Sequence, residues 1–145
     1  DRELGQLRFH TDRRSAKRAQ LAQDARACLL FQGQAVQLRL RGTARIEQDG
    51  PLGDAAWAAT GFMSRLCYLT EAAPGTPSAE PISGLASALM GAQAPLALTE
   101  PGRGNFALVN VEVQAIDWLQ LFASGQRRAG FSRSGAGWMG NWLVP

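Results

Sequence analysis

The strict alternation of apolar and polar residues from Val36 to Glu47 restricts the fold more than any other feature of the chain. Successive side chains of a β-strand point to opposite faces, so this pattern predicts a long strand with one face in a core and the other outside it. Gly42 lies in the middle of the segment and predicts a bulge or a bend. The apolar face consists of Val36, Leu38, Leu40, Ala44 and Ile46, and the polar face of Gln37, Arg39, Arg41, Thr43, Arg45 and Glu47.

Five further segments have the length and composition of strands, either alternating or continuously apolar between turn residues. They span residues 7–10, 27–31, 106–119, 127–133 and 137–145. Six or more strands joined as hairpins and meanders, with only one or two short helices, favour a mainly β protein over an α/β sheet. The predicted architecture is a small antiparallel barrel with Greek-key-like connections.

Two helices and one long loop complete the predicted elements. Residues 16–25 are mostly helix formers, and Asp54 is a suitable N-cap for a second helix that ends near Leu66. The stretch from 72 to 104 is rich in proline, alanine and glycine, which predicts a loop with at most a short helical turn at Ile82–Met90. Loops of this length in a compact domain usually carry a binding function or are mobile, so this one is a candidate lid.

The composition excludes several classes of protein. A length of 145 residues and a hydrophobic content of 46% fit a single globular domain. No apolar run approaches the roughly 20 residues that cross a bilayer, so we expect no membrane association and a cytoplasmic location. Cys28 and Cys67 lack the spacing of a metal site, so we expect no metal and interpret both as reduced packing residues.

The turn from His10 to Lys17 concentrates groups that suit a phosphate. Lys17 offers a point charge, and Arg13 or Arg14 offers a planar fork. Thr11 and Ser15 add hydroxyl donors beside the backbone N–H groups of a helix start. A solvated basic turn is the alternative, and these residues alone do not decide between the two.

Taken in order, three features of the chain resemble the flavin mononucleotide (FMN) signature of the pyridoxamine 5'-phosphate oxidase-like split-barrel family. They are the turn from His10 to Lys17, the Gln37-Leu38-Arg39 segment ahead of Gly42, and the pair Trp118 and Arg128. The resemblance covers residues 7–145 and implies a split barrel, a bound FMN and a homodimer with flavin at the interface. It also implies one domain over 1–145 that lacks the family's first strand. The implied cofactor contacts are His10, Thr11, Arg14, Ser15, Lys17, Gln37, Arg39, Trp118 and Arg128.

The resemblance assigns a role to each part of this set. Thr11, Ser15 and Lys17 match the residues that hold the flavin phosphate. Ala16 replaces a family arginine, and the neighbouring Arg14 is the candidate for the lost charge. By the same resemblance, Gln37 touches the flavin ring, and the pair near the C-terminus reaches the flavin of the partner subunit. We interpret the one histidine, His10, as a strand residue beside the phosphate rather than as a general base.

The resemblance fails where the family binds its substrate. The family has an Arg-x-His-Asp-Arg run, whereas this chain has Ser124-Gly125-Gln126-Arg127-Arg128 and keeps only the last arginine. The tyrosine and arginine that hold substrate phosphate have no clear match in 54–69, where we find Trp57 and Arg65. The resemblance therefore supports the family's cofactor better than the family's reaction, and no catalytic residue is assigned.

Three hypotheses follow. The first is an FMN-dependent oxidoreductase that acts on a small, unknown substrate. The second is a non-enzymatic flavin- or haem-binding or sensing protein of the same fold. The third is a nucleic-acid module that uses the arginines of the strand 36–47. Single-strand binders interleave aromatic residues with their cations, and this face lacks them, so we expect no nucleic-acid partner.

Overall fold

A computed structural model describes residues 5–90 and 95–145. Within these residues the chain forms one antiparallel sheet of six strands in the order β2-β3-β4-β5-β6, and β1 pairs with β4. All six predicted strands are present, and the mainly β class is confirmed. The strands are β1 Gln6–Asp12, β2 Arg26–Gly33, β3 Val36–Glu47, β4 Phe106–Gln120, β5 Arg127–Ser134 and β6 Gly137–Leu143.

Strands β2 and β3 form a tight hairpin. Their register runs from Arg26 opposite Thr43 to Gly33 opposite Val36. The two loop residues, Gln34 and Ala35, have φ angles of 48° and 61°. Positive φ at both central positions gives the loop the twist that a two-residue hairpin needs.

The alternation predicted for β3 is confirmed, because Leu40 and Ala44 are buried while Arg39, Arg41 and Arg45 are exposed. A bulge or a bend was predicted at Gly42, and the pairing with β2 contains no bulge there. The β2–β3 register continues through Gly42, which lies opposite Ala27. The glycine is required for a different reason, since a Cβ at this position would overlap the carbonyl oxygen of Glu112 on β4. Two backbones approach here more closely than any side chain allows.

The helices are short. The first, α1 at Ala16–Gln23, lies where it was predicted, but the single helix predicted at 54–66 is divided into α2, Pro51–Ala58, and α3, Phe62–Leu66. Gly50 is the N-cap of α2. Asp54 therefore lies in the first turn of α2, and its predicted role as N-cap is wrong. The predicted 72–104 loop contains two 3-10 helices, Ser87–Leu89 and Leu96–Asn105, and the first agrees with the helical turn predicted at 82–90.

The described chain divides into two compact units. The first consists of the N-terminal residues through Leu7, 24–45 and 111–145, and the second of Arg8–Gln23 and Ile46–Asn110. The core of the second unit is built from Trp57, Tyr68, Phe106 and Leu108. Its three aromatic rings pack edge to face, with centroids 5.2 to 5.9 Å apart. The interpretation of Trp57 as a packing residue is confirmed.

The two cysteines differ from prediction. Both thiols are free, but Cys28 and Cys67 are exposed. Cys28 falls on the outward side of β2, and Cys67 follows the last residue of α3, so neither side chain packs in a core.

Among the helices of residues 5–90 and 95–145, none is both long and apolar enough to span a membrane.

The close approach at Gly42 predicts the effect of a single methyl group. Gly42→Ala should lower the free energy of unfolding by about 2 kcal/mol or more, because the methyl overlaps backbone that cannot move away. Gly33→Ala is the control, since nothing lies within 4 Å of the position of its Cβ. Urea unfolding of both variants measures the difference, and equal midpoints would contradict the close approach.

Candidate cofactor site

The turn between β1 and α1 is held by its own backbone. The Ser15 amide donates to the Asp12 carbonyl at 3.0 Å, and the Arg18 amide donates to the Ser15 carbonyl at 3.1 Å. The Arg13 amide donates to the carbonyl of Asn105, immediately before β4, at 2.7 Å. The turn is therefore fixed at the start of α1, where backbone N–H groups lack partners within the helix.

Two hydroxyls and one cation point to anion binding at this turn. Thr11 at the end of β1 and Ser15 just before α1 are buried, and their hydroxyl oxygens lie 3.3 Å apart. Lys17, in the first turn of α1, is exposed. Its ammonium group has no side-chain or backbone partner in the described part of the chain. Of the predicted phosphate residues, Thr11 and Ser15 are thus in contact, and Lys17 lies two residues after Ser15 in the first turn of α1.

The guanidinium of Arg14 is hydrogen-bonded to groups of the protein itself. Its Nε and Nη2 donate to the two carboxylate oxygens of Asp12 at 3.1 and 2.7 Å. Nη2 also donates to the Thr70 hydroxyl at 3.1 Å, and Nη1 donates to the carbonyls of Thr70 and Glu71 at 2.9 and 3.4 Å. A guanidinium group has five N–H donors, and all five are used here. The hydrogen bonds to Asp12 raise the pKa of Arg14 above its ordinary value.

His10 lies in β1 next to this turn, and its ring centroid is 4.8 Å from that of Phe106. Partial burial lowers the pKa of the imidazole below its ordinary value of 6.5. The ring is therefore mostly neutral at pH 7 and can act as a neutral donor or acceptor.

The remaining predicted residues lie in the first unit. Gln37 and Arg39 share the polar face of β3, while Trp118 and Arg128 lie on the paired strands β4 and β5. Arg128 donates from Nε and Nη2 to the two carboxylate oxygens of Asp117, at 3.0 and 2.7 Å. These hydrogen bonds, followed by the charges of Arg128, Arg39 and Arg41, lower the pKa of Asp117.

Sequence reasoning missed Asp117. Its only signal was its place beside Trp118 in a predicted strand, because the pairing with Arg128 depends on a register that no local motif encodes. Sequence reasoning also missed an open groove of about 900 Å³ in the first unit. The groove walls include Leu38, Ile116, Trp118, Phe131, Trp138 and Trp142. The rings of Trp118 and Trp142 meet edge to face with centroids 6.3 Å apart.

The predicted set therefore falls into two groups. His10, Thr11, Arg14, Ser15 and Lys17 are together in the second unit. Gln37, Arg39, Trp118 and Arg128 belong to the first unit, where Arg39 and Arg128 both act on the same carboxylate.

Arg65 is occupied by the protein itself. The residue is 2% exposed, and its guanidinium lies over the Trp57 ring, 4.3 Å from the centroid. It donates to the carbonyls of Thr60 and Trp57 at 2.9 and 2.8 Å, and to a Glu100 carboxylate oxygen at 2.6 Å. Arg65 is thus a structural residue that links α2, α3 and the second 3-10 helix.

Tyr68 also lies in the stretch where the family holds substrate phosphate, but its ring belongs to the aromatic core. Burial raises the pKa of its phenol to about 12, so the hydroxyl stays protonated at neutral pH. In residues 5–90 and 95–145, no three or more His, Cys, Asp and Glu side chains are grouped so that they could hold a metal.

Comparison with known proteins agrees with the motifs. The family model for pyridoxamine 5'-phosphate oxidase matches residues 3–119, which is well over half of the chain. The chain belongs to the pyridoxamine 5'-phosphate oxidase family. A search of curated proteins finds no match.

Two solved structures resemble this member of the pyridoxamine 5'-phosphate oxidase family. A pyridoxamine 5'-phosphate oxidase-related, FMN-binding protein from Nostoc punctiforme is 27% identical with a TM-score of 0.72, over 97% of this chain and 73% of that one. PhzG from Burkholderia lata, in complex with tetrahydrophenazine-1-carboxylic acid, is 16% identical with a TM-score of 0.67, over 95% of this chain and 68% of that one. The second likeness shows the fold alone. Together they confirm the predicted split-barrel class.

The ion pair between Arg128 and Asp117 predicts how the pKa of Asp117 responds to a mutation. Arg128→Gln should raise the pKa of Asp117 towards its ordinary value of 3.8, because its main hydrogen-bond donors are removed. A depressed carboxyl pKa contributes stability that is present above the ordinary pKa and is lost as the pH falls through the folded-state value. The variant should therefore be less stable than wild type at pH 7 and lose less stability on acidification. Carboxyl-carbon NMR titration gives the pKa directly.

Arg133→Gln is the matched control for this titration, since Arg133 pairs with Glu112 rather than with Asp117. An Asp117 pKa that moves equally in both variants would contradict the assignment.

Proposed function

We propose that this protein binds FMN with the flavin phosphate at the turn from Thr11 to Lys17, and that it acts as an FMN-dependent oxidoreductase on a small substrate. One observation carries the proposal: two buried hydroxyls and an uncommitted lysine lie together at the N-terminus of α1. Positive partial charge at a helix N-terminus and charge-assisted hydrogen bonds both favour a phosphate dianion.

The donor set fits a phosphate in a second respect. Thr11 and Ser15 lie 3.3 Å apart, which is longer than the roughly 2.7–2.8 Å typical of a hydroxyl–hydroxyl bond. Each hydroxyl can therefore turn towards a stronger acceptor. The nearest carboxylate, Asp12, is neutralised by its two bonds to Arg14, so it does not repel an anion.

The other cofactor contacts are proposed from the resemblance alone. Gln37 and Arg39 are proposed to bind near the flavin ring, and Trp118 and Arg128 to reach the flavin of a partner subunit. The FMN binding of the Nostoc punctiforme protein supports this assignment. When bound, the flavin supplies the redox chemistry, and the protein supplies orientation, hydrogen bonds and access for the substrate.

We also propose that the protein is a homodimer in which a second copy covers the groove of the first unit. Several large apolar side chains around this groove are exposed, and Trp142 is 75% exposed. Monomeric proteins rarely leave extended apolar patches in water, and aromatic residues are enriched in interfaces. The groove also contains Trp118, which we propose contacts the flavin of the partner subunit.

A second candidate is a non-enzymatic flavin- or haem-binding protein of the same fold. The burial of Arg65 favours it, because no arginine of α3 remains free for a substrate phosphate. Bound flavin that a nicotinamide cofactor cannot reduce and an acceptor cannot reoxidise would support this candidate over the oxidoreductase.

A visible absorption spectrum tests the cofactor itself. Purified protein that has been incubated with FMN and then desalted should keep the flavin absorption band. Its Tm should exceed that of the untreated protein, because a ligand that binds only the native state stabilises it. Colourless protein with an unchanged Tm would rule out the proposal.

Lys17→Ala should weaken FMN binding by roughly 10- to 150-fold, the equivalent of one charge-assisted hydrogen bond of about 1.5–3 kcal/mol. Isothermal calorimetry gives the dissociation constants. Arg45→Ala removes the same charge from an exposed position on β3 and serves as the control for net charge. Equal affinities for the two variants would contradict the phosphate assignment.

The proposed dimer gives a separate prediction. Trp142→Ser should weaken self-association by about 2 kcal/mol or more, since buried tryptophans commonly dominate interfaces. It should also reduce FMN retention. Met63→Ser is the control, because this residue is 74% exposed on α3. Light scattering coupled to gel filtration measures the oligomer, and a wild type that is monomeric at every concentration would refute the dimer.

A further inference from the structure

One segment of the second unit has no role in the proposed function. The proline-rich loop, residues 72–83, begins after Glu71 and ends before Gly84. The Glu71 amide donates to the Gly84 carbonyl at 3.0 Å, and this bond closes the base of the loop. Gly84 has a φ of 72°, a conformation that glycine adopts without strain.

Thr70 fixes the point where the loop begins. Its hydroxyl donates to the Ala72 carbonyl at 3.0 Å and accepts from Arg14 Nη2 at 3.1 Å. The carbonyls of Thr70 and Glu71 accept from Arg14 Nη1. Three of the five Arg14 hydrogen bonds therefore end at the base of the proline-rich loop.

The other two Arg14 hydrogen bonds end on Asp12, inside the phosphate-binding turn. The Asp12 carboxylate also accepts from the Arg14 amide at 2.7 Å, so it fixes the backbone of the turn as well as the guanidinium group. The guanidinium group is planar and its donors have fixed directions, so it holds the Asp12 carboxylate and the loop base in one geometry. A flexible ammonium group cannot reproduce this geometry. The turn and the loop base thus share a single side chain.

We propose that Arg14 is a positioning residue that ties the phosphate-binding turn to the base of the proline-rich loop, so that FMN binding and closure of the loop base are coupled. The inference rests on the proposed function. Arg14 makes no bond to the phosphate; it holds the turn in the shape that presents Thr11, Ser15 and Lys17. In return, a phosphate that orders the turn also orders Thr70 and Glu71.

Calorimetry with FMN on five variants and wild type separates this role from direct phosphate binding. Arg14→Ala should weaken FMN binding about tenfold, and Arg14→Lys should be no better, because a charge alone does not restore the fork. Thr70→Val should weaken binding by about threefold in the wild-type background and by little in the Arg14→Ala background, since the two residues act through one contact. Thr76→Val removes a hydroxyl that bonds Ala73 within the same loop, and it should leave the affinity unchanged.

Amide hydrogen exchange reads the coupling without relying on affinity. Saturating FMN should slow exchange at the Glu71 amide in wild type and in Thr76→Val. The effect should disappear in Arg14→Ala at FMN concentrations that saturate the variant. A residue that only supported the fold would speed exchange across the second unit with or without FMN.

The outcomes distinguish the two proposals. Wild-type protein that binds no FMN would overturn the proposed function, and this inference with it. A wild type that binds FMN, with Arg14→Lys restoring affinity and Thr70→Val having no effect, would make Arg14 a direct phosphate ligand and overturn the inference alone.

Discussion

A buried carboxylate at the end of β1 determines how the candidate site is built. The side chain of Asp12 is only 5% exposed, and an unpaired charge at such a position costs several kcal/mol. Arg14, two residues later, supplies the compensating charge in a bidentate pair. Two of the arginine's five donors are therefore bound to this carboxylate, and the other three are bound at Thr70 and Glu71. In the proposed function, the phosphate is bound by Thr11, Ser15 and Lys17, which the described part of the chain does not use to neutralise a buried charge.

Arg65 and Arg128 also pair with a carboxylate of the protein. Arg65 lies over Trp57, donates to the carbonyls of Trp57 and Thr60, and pairs with Glu100, so its burial is compensated. The side chain of Arg128 is 35% exposed and pairs with Asp117, whose pKa is also lowered by the charges of Arg39 and Arg41. None of the fourteen arginines can therefore be judged from the sequence by charge alone: what decides between a structural and a ligand-binding arginine is how many of its five donors the protein already uses.

The strands could be predicted from the sequence because alternation is a local pattern, and β3 shows it most clearly. The turn between β1 and α1 could also be predicted, since Thr11, Ser15 and Lys17 lie within one short segment, and its role in phosphate binding stays a prediction. Contacts between residues that are far apart in the sequence could not be predicted. The bonds from Arg14 to Thr70 and Glu71 join residues more than fifty positions apart, and the role of Gly42 depends on a neighbouring strand, β4, that begins at Phe106. The division of the helix at 54–66 was missed because Thr60 and Gly61 are tolerated inside a helical pattern.

The central claim is that the turn from Thr11 to Lys17 recognises the phosphate of FMN. Parallel calorimetric titrations with FMN and with riboflavin, which lacks the phosphate, test it most directly. FMN should bind at least about a hundredfold more tightly, the equivalent of about 2.7 kcal/mol from two or more charge-assisted or hydroxyl hydrogen bonds. Equal affinities for the two flavins would show that the turn does not bind phosphate.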